Sequence, residues 1–63
     1  MSSAVTLLST RDLAERWGVK VGSLTNLRSA GKGVPYLRLG GVVRYQLSDV
    51  EAYERASRVE VAS

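Results

Sequence analysis

The chain has neither cysteine nor histidine. These two absences remove disulfide staples, the usual zinc ligands, the commonest general base and every Cys–His or Ser–His arrangement. Phenylalanine is also missing, and one tryptophan and three tyrosines are the whole aromatic complement. With 63 residues, a domain buries only about 60% of the surface of its unfolded chain, so its few large apolar side chains must share one core. No apolar run exceeds three residues, so no segment is expected to span a membrane. The start, Met1-Ser2-Ser3-Ala4-Val5, has no basic region ahead of an apolar stretch and does not read as a secretory signal, which points to the cytoplasm. A pocket enclosing a substrate needs more chain than this. The expectation is therefore a binding module with no cofactor, metal, small-molecule ligand or catalytic activity.

One further absence is local. From Arg16 to Ser48 there is no acidic residue, although Arg16, Lys20, Arg28, Lys32, Arg38 and Arg44 all lie there. The acids Asp12, Glu15, Asp49, Glu51, Glu54 and Glu60 lie on either side of that window, alongside Arg11, Arg55 and Arg58. Solvated surfaces mix their signs; a stretch cleared of carboxylates suits contact with a polyanion, nucleic acid first of all.

What is present reads as a single domain over residues 1–63, with a core at about 7–58 and loose ends at 1–6 and 59–63. Ser9 and Asp12 stand at capping-box spacing, with Leu8 and Leu13 placed as a hydrophobic staple. Leu13, Ala14 and Trp17 share one helical face, and Gly18 is a stop signal, which predicts a helix over about 10–17. A second helix restarts near Lys20 or Val21 and runs to Ala30, with Gly31 as its stop and Leu24 and Leu27 inward. Two short helices joined by a Gly-containing turn form a helix-turn-helix. After Gly33 and Pro35, Tyr36–Leu39 and Val42–Tyr45 read as a hairpin around Gly40-Gly41. A two-residue loop there pairs Leu39 with Val42, Arg38 with Val43, Leu37 with Arg44 and Tyr36 with Tyr45. Ser48 and Glu51 form a second capping-box pattern, predicting a last helix over about 49–58 with Val50, Tyr53 and Ala56 inward. The fold class is mainly α with a small β-hairpin.

The face of the second helix opposite Leu24 holds Gly22, Thr25, Asn26 and Ser29, with Ser23 beside them. Such residues are poor helix formers, and an ordinary solvent face carries Glu and Lys instead. They do suit the major groove, where short hydrogen-bonding side chains read base edges and Asn can pair with adenine through two bonds. Lys20, Arg28 and Lys32 bracket the face and suit phosphate contacts, which set register without reading sequence. Arg16 either reaches a phosphate or interacts with the negative end of its own helix. The pairing scheme turns Arg38 and Arg44 to opposite faces of the hairpin. Arg38, nearer the tip, is the better candidate for DNA. Arg44 either joins it in a minor groove or pairs with Asp12, Glu15 or Asp49 over the core. Trp17 and Tyr53 read as core residues, Tyr36 and Tyr45 as a packed cross-strand pair, and Asp49 and Glu54 as parts of an exposed helix face.

Leu7-Leu8-Ser9-Thr10-Arg11-Asp12-Leu13-Ala14-Glu15-Arg16-Trp17-Gly18-Val19 resembles the first helix and turn of the MerR-like winged helix-turn-helix superfamily. Pro35 to Tyr45, continuing into Ser48-Asp49-Val50-Glu51-Ala52-Tyr53, is similar to that superfamily's wing, Arg-Tyr pair and closing helix. Small phage excisionases and AlpA-like regulators are the most similar branches. The resemblance covers about residues 7–55. It implies a recognition helix in the major groove, mapping onto Lys20 to Ser29, and a wing on the minor groove or backbone, mapping onto Arg38, Gly40, Gly41 and Arg44. It also implies an architectural factor acting on DNA in a host bacterial cell: copies bind adjacent attachment sites, bend or organise the DNA, and help an integrase excise a prophage. A small transcriptional regulator of AlpA type and a protein-interaction adaptor using the basic face are the alternatives. Two departures stand out: Lys20 replaces the family's usual Ser or Thr cap, and one extra residue, Gly33 or Val34, precedes Pro35.

Overall fold

The computed structural model describes residues 5–59. The expected loose ends fall partly outside that range, at 1–4 and 60–63. The described residues form three helices and a small antiparallel sheet of three strands. In chain order they are β1 (Leu7–Leu8), α1 (Thr10–Trp17), α2 (Val21–Ser29), β2 (Leu37–Leu39), β3 (Val42–Gln46) and α3 (Leu47–Ala56).

Helix α1 begins as its sequence dictates. The Ser9 hydroxyl accepts from the Asp12 N–H at 3.0 Å, and the Asp12 carboxylate accepts from the Ser9 N–H at 3.1 Å. The box thus satisfies two backbone donors at the helix start. Gly18 closes the helix in the left-handed region at φ 68°, where a side chain would be strained. Helix α2 lacks such an entry: Lys20 is its N-cap and makes no side-chain capping bond. Its exit is better made. The Gly31 N–H reaches the Arg28 carbonyl at 3.0 Å and the Lys32 N–H reaches the Leu27 carbonyl at 2.8 Å, the two bonds of a Schellman motif with Gly31 at φ 71°.

The hairpin forms in the expected register, Leu39 opposite Val42, Arg38 opposite Val43 and Leu37 opposite Arg44. Strand β3 is central and pairs with β1 on its other side, Leu7 opposite Gln46 and Leu8 opposite Tyr45. That third strand is an addition to the fold read from sequence. Thr6, expected in a loose end, is tied as well, its carbonyl accepting from the Leu47 N–H at 2.9 Å.

The start of α3 corrects the sequence reading. The helix begins at Leu47, directly after β3, with Gln46 as N-cap and no side-chain capping bond. Ser48 therefore lies inside the first turn, where its hydroxyl cannot cap, and the Ser48–Glu51 box does not form. The inward stripe is Val50 and Tyr53, while Ala56 is exposed.

Leu13, Ala14, Leu24, Val34, Tyr45 and Val50 make the core, with Leu8, Trp17, Leu27, Val43 and Tyr53 packed around it. Val34, in the short segment ahead of Pro35, is thus an anchor in the core. Gly33 beside it (φ 90°) passes so close to α2 that a Cβ would lie 3.3 Å from that of Leu27.

Candidate nucleic-acid interface

Leu24 is buried and Leu27 half-buried, which turns the opposite side of α2 outward. Gly22, Ser23, Thr25, Asn26 and Ser29 are all exposed. Nothing is built against Gly22: a Cβ placed there would meet no atom within 4 Å. The Thr25 hydroxyl donates to the Val21 carbonyl at 3.2 Å, which occupies its proton and leaves the methyl group and an acceptor lone pair. Lys20 and Lys32, just before and shortly after α2, are exposed. A short, uncharged, hydrogen-bonding face with a cation beyond each end is the result.

The hairpin contributes differently from its two faces. Tyr45 is buried and Val43 packs on the core, so the face carrying Tyr36, Arg38, Val43 and Tyr45 is the inner one. Arg38 nevertheless sits one residue from the end of its strand and is exposed. The outer face carries Leu37, Leu39, Val42 and Arg44, with Leu39 and Val42 exposed beside the Gly40-Gly41 tip. Both glycines have positive φ, 57° and 85°, as a primed two-residue turn requires. Arg44 is half-buried and donates from Nη1 to the Val43 carbonyl at 2.7 Å. Arg44 does not pair with Asp12, Glu15 or Asp49: among the described residues the ion pair present is Arg16–Glu54.

Two cations of the acid-free window are held by the protein itself. Arg16 grips Glu54 through Nε at 2.7 Å and Nη2 at 2.8 Å, a two-bond geometry that favours the charged forms of both groups. The same carboxylate accepts from the Trp17 indole N–H at 2.6 Å. These bonds, Arg16 first and Trp17 second, hold the Glu54 carboxyl down to about 2, and the bond to Glu54 raises the Arg16 guanidinium in turn. The sequence pattern places Glu54 on an exposed face and Arg16 at a phosphate or at the end of its own helix; in the structure the two bind each other instead. The signal for their pairing lay in neighbouring residues. Trp17 and Tyr53 stack at 5.6 Å between ring centroids, and each carries one member of the pair next to it in sequence.

Arg28 is the second. It is half-buried, donates from Nη1 to the Tyr45 hydroxyl at 2.8 Å, and lies 3.5 Å from the Thr10 hydroxyl. Its guanidinium carbon also stands over the Tyr36 ring, 5.6 Å from the centroid. Arg28, Lys32, Pro35 and Tyr36 line a shallow open cleft after the end of α2. Of the six window cations, Lys20, Lys32 and Arg38 are thus exposed, Arg44 is half-exposed on the outer hairpin face, and Arg16 and Arg28 are engaged internally.

No helix among the described residues is long and apolar enough to cross a membrane. No family model matches the chain, and neither a curated protein nor a solved structure matches it.

Proposed function

We propose that this chain is a sequence-specific duplex DNA-binding protein of winged helix-turn-helix type. Helix α2 lies in the major groove with Asn26 at the centre of the reading face and Ser23, Thr25 and Ser29 around it. The hairpin acts as the wing, bringing Arg38 and the Gly40-Gly41 tip, with Arg44 behind them, to the adjacent minor groove or backbone. Lys20 and Lys32 hold the phosphates on either side of the reading face. One observation carries the reading: the Gly22–Asn26–Ser29 face is turned to solvent, although its residues favour a helix so little that stability alone would not select them.

The resemblance to excisionases extends this binding to a role. On that reading, neighbouring copies bind attachment-site DNA cooperatively, bend or organise it, and direct an integrase toward excision; the chain itself performs no chemistry. An AlpA-type regulator would use the same contacts on an operator.

Selection from a random duplex pool, followed by titration of the selected duplex and a scrambled one, tests the DNA reading. Lys20, Lys32, Arg38 and Arg44 would release about four counterions, so log K should fall against log salt with a slope of about −3 to −4. Failure to enrich any duplex, with binding to acidic protein instead, would leave the adaptor reading in its place. An in-vitro recombination assay with and without the chain separates an excisionase from a regulator.

A further inference from the structure

Arg28 lies next to the reading face in sequence, yet its side chain runs inward to the hairpin. It contacts three separate elements: Tyr45 on β3, Thr10 at the start of α1, and Tyr36 at the entry to β2. Tyr45 is itself nearly closed off from solvent (3% exposed), and its hydroxyl needs a partner there. The planar guanidinium supplies a hydrogen bond to that hydroxyl while it lies over a second ring, which stands 6.3 Å from the first and tilted by 60°. A lysine cannot reproduce this combination, because its ammonium is a point donor without a stacking plane.

We propose that Arg28 is a positioning residue: it locks α2 to the hairpin and so sets the spacing between the helix that reads bases and the wing that grips the adjacent groove. This rests on the DNA-binding reading above. It removes Arg28 from the phosphate contacts and assigns it to discrimination between sequences. A helix seated slightly off register still meets phosphates, whereas two-bond contacts to base edges lose their geometry.

The test uses the full chain, the selected duplex and its scrambled counterpart. Arg28→Gln should lower the ratio of selected to scrambled affinity about tenfold, while the salt slope on scrambled duplex stays where it was. Arg28→Lys should fail to restore the ratio, and Tyr45→Phe should reproduce much of the loss. A slope flattened by about one unit in Arg28→Gln, with the ratio unchanged and Lys restoring affinity, would make Arg28 a phosphate contact and overturn the proposal.

A second arm needs no DNA. In urea unfolding of Arg28→Gln, Tyr45→Phe and the double variant, the double should cost clearly less than the two singles together. Additive losses would show that the pair is not coupled, and the lock would fall. If the wild-type chain binds no duplex while this coupling is present, the DNA reading fails and the mechanical lock stands.

Discussion

Helices α1 and α2 follow one another directly and have 8 and 9 residues, yet they are secured in opposite ways. Helix α1 has a reciprocal capping box, a left-handed glycine exit and two buried residues, Leu13 and Ala14. Helix α2 enters without a side-chain cap, buries only Leu24 fully, and turns a face of weak helix formers to solvent. Its order comes from elsewhere: the Schellman exit at Gly31, the close pass of Gly33 against Leu27, and the reach of Arg28 to the hairpin. The lesson is that a helix surface can be freed from stabilising its own helix when neighbouring elements hold it. That freedom is what a reading surface requires.

Breaking α1 should have the largest effect. Leu13 is fully buried, and Leu13→Ala is expected to cost about 2–5 kcal/mol, enough to unfold much of so small a domain; urea unfolding followed by circular dichroism measures it. On α2 the corresponding loss should appear in binding. Asn26→Ala should weaken the selected duplex by about 1–3 kcal/mol while the urea midpoint rises slightly, because Ala is the better helix former at this exposed position. An equal loss on scrambled duplex would make Asn26 a positioning contact and deny it a reading role.

The caps sharpen the contrast. Ser9→Ala removes the α1 box and should cost about 0.5–2 kcal/mol, whereas Ser48→Ala, inside the first turn of α3, should stay within about 0.5 kcal/mol of wild type. Giving α2 the cap it lacks, by Lys20→Ser, should raise stability by about 0.5–1 kcal/mol. The same change should flatten the salt slope by about one unit; greater stability with an unaltered slope would take Lys20 out of the interface.

The smallest effect concerns acid. Glu54 has its pKa depressed on folding, so its contribution is present above the ordinary value of 4.5 and is lost as pH falls from there toward about 2. Its half-exposed position keeps that contribution modest. Glu54→Gln should therefore reduce the pH dependence of the thermal midpoint across that window, and an unchanged profile would mean that the Arg16 bond adds nothing in solution.

By itself the sequence determined whatever depends on neighbours a few residues apart: the bounds of α1, the exit of α2, the hairpin register around Gly40-Gly41 and the polar face opposite Leu24. Short-range hydrogen bonds, glycine dihedrals and helical periodicity decide these. Tertiary structure alone decided that Leu7 and Leu8 join the sheet beside β3, that this strand runs straight into α3 and displaces the Ser48 cap, and that Val34 enters the core. It also decided which cations stay available, because Arg16 meets Glu54 across 38 positions and Arg28 meets Tyr45 across 17. Charge can be counted along a chain. Whether a charged group faces solvent or a partner depends on side chains that only folding brings together.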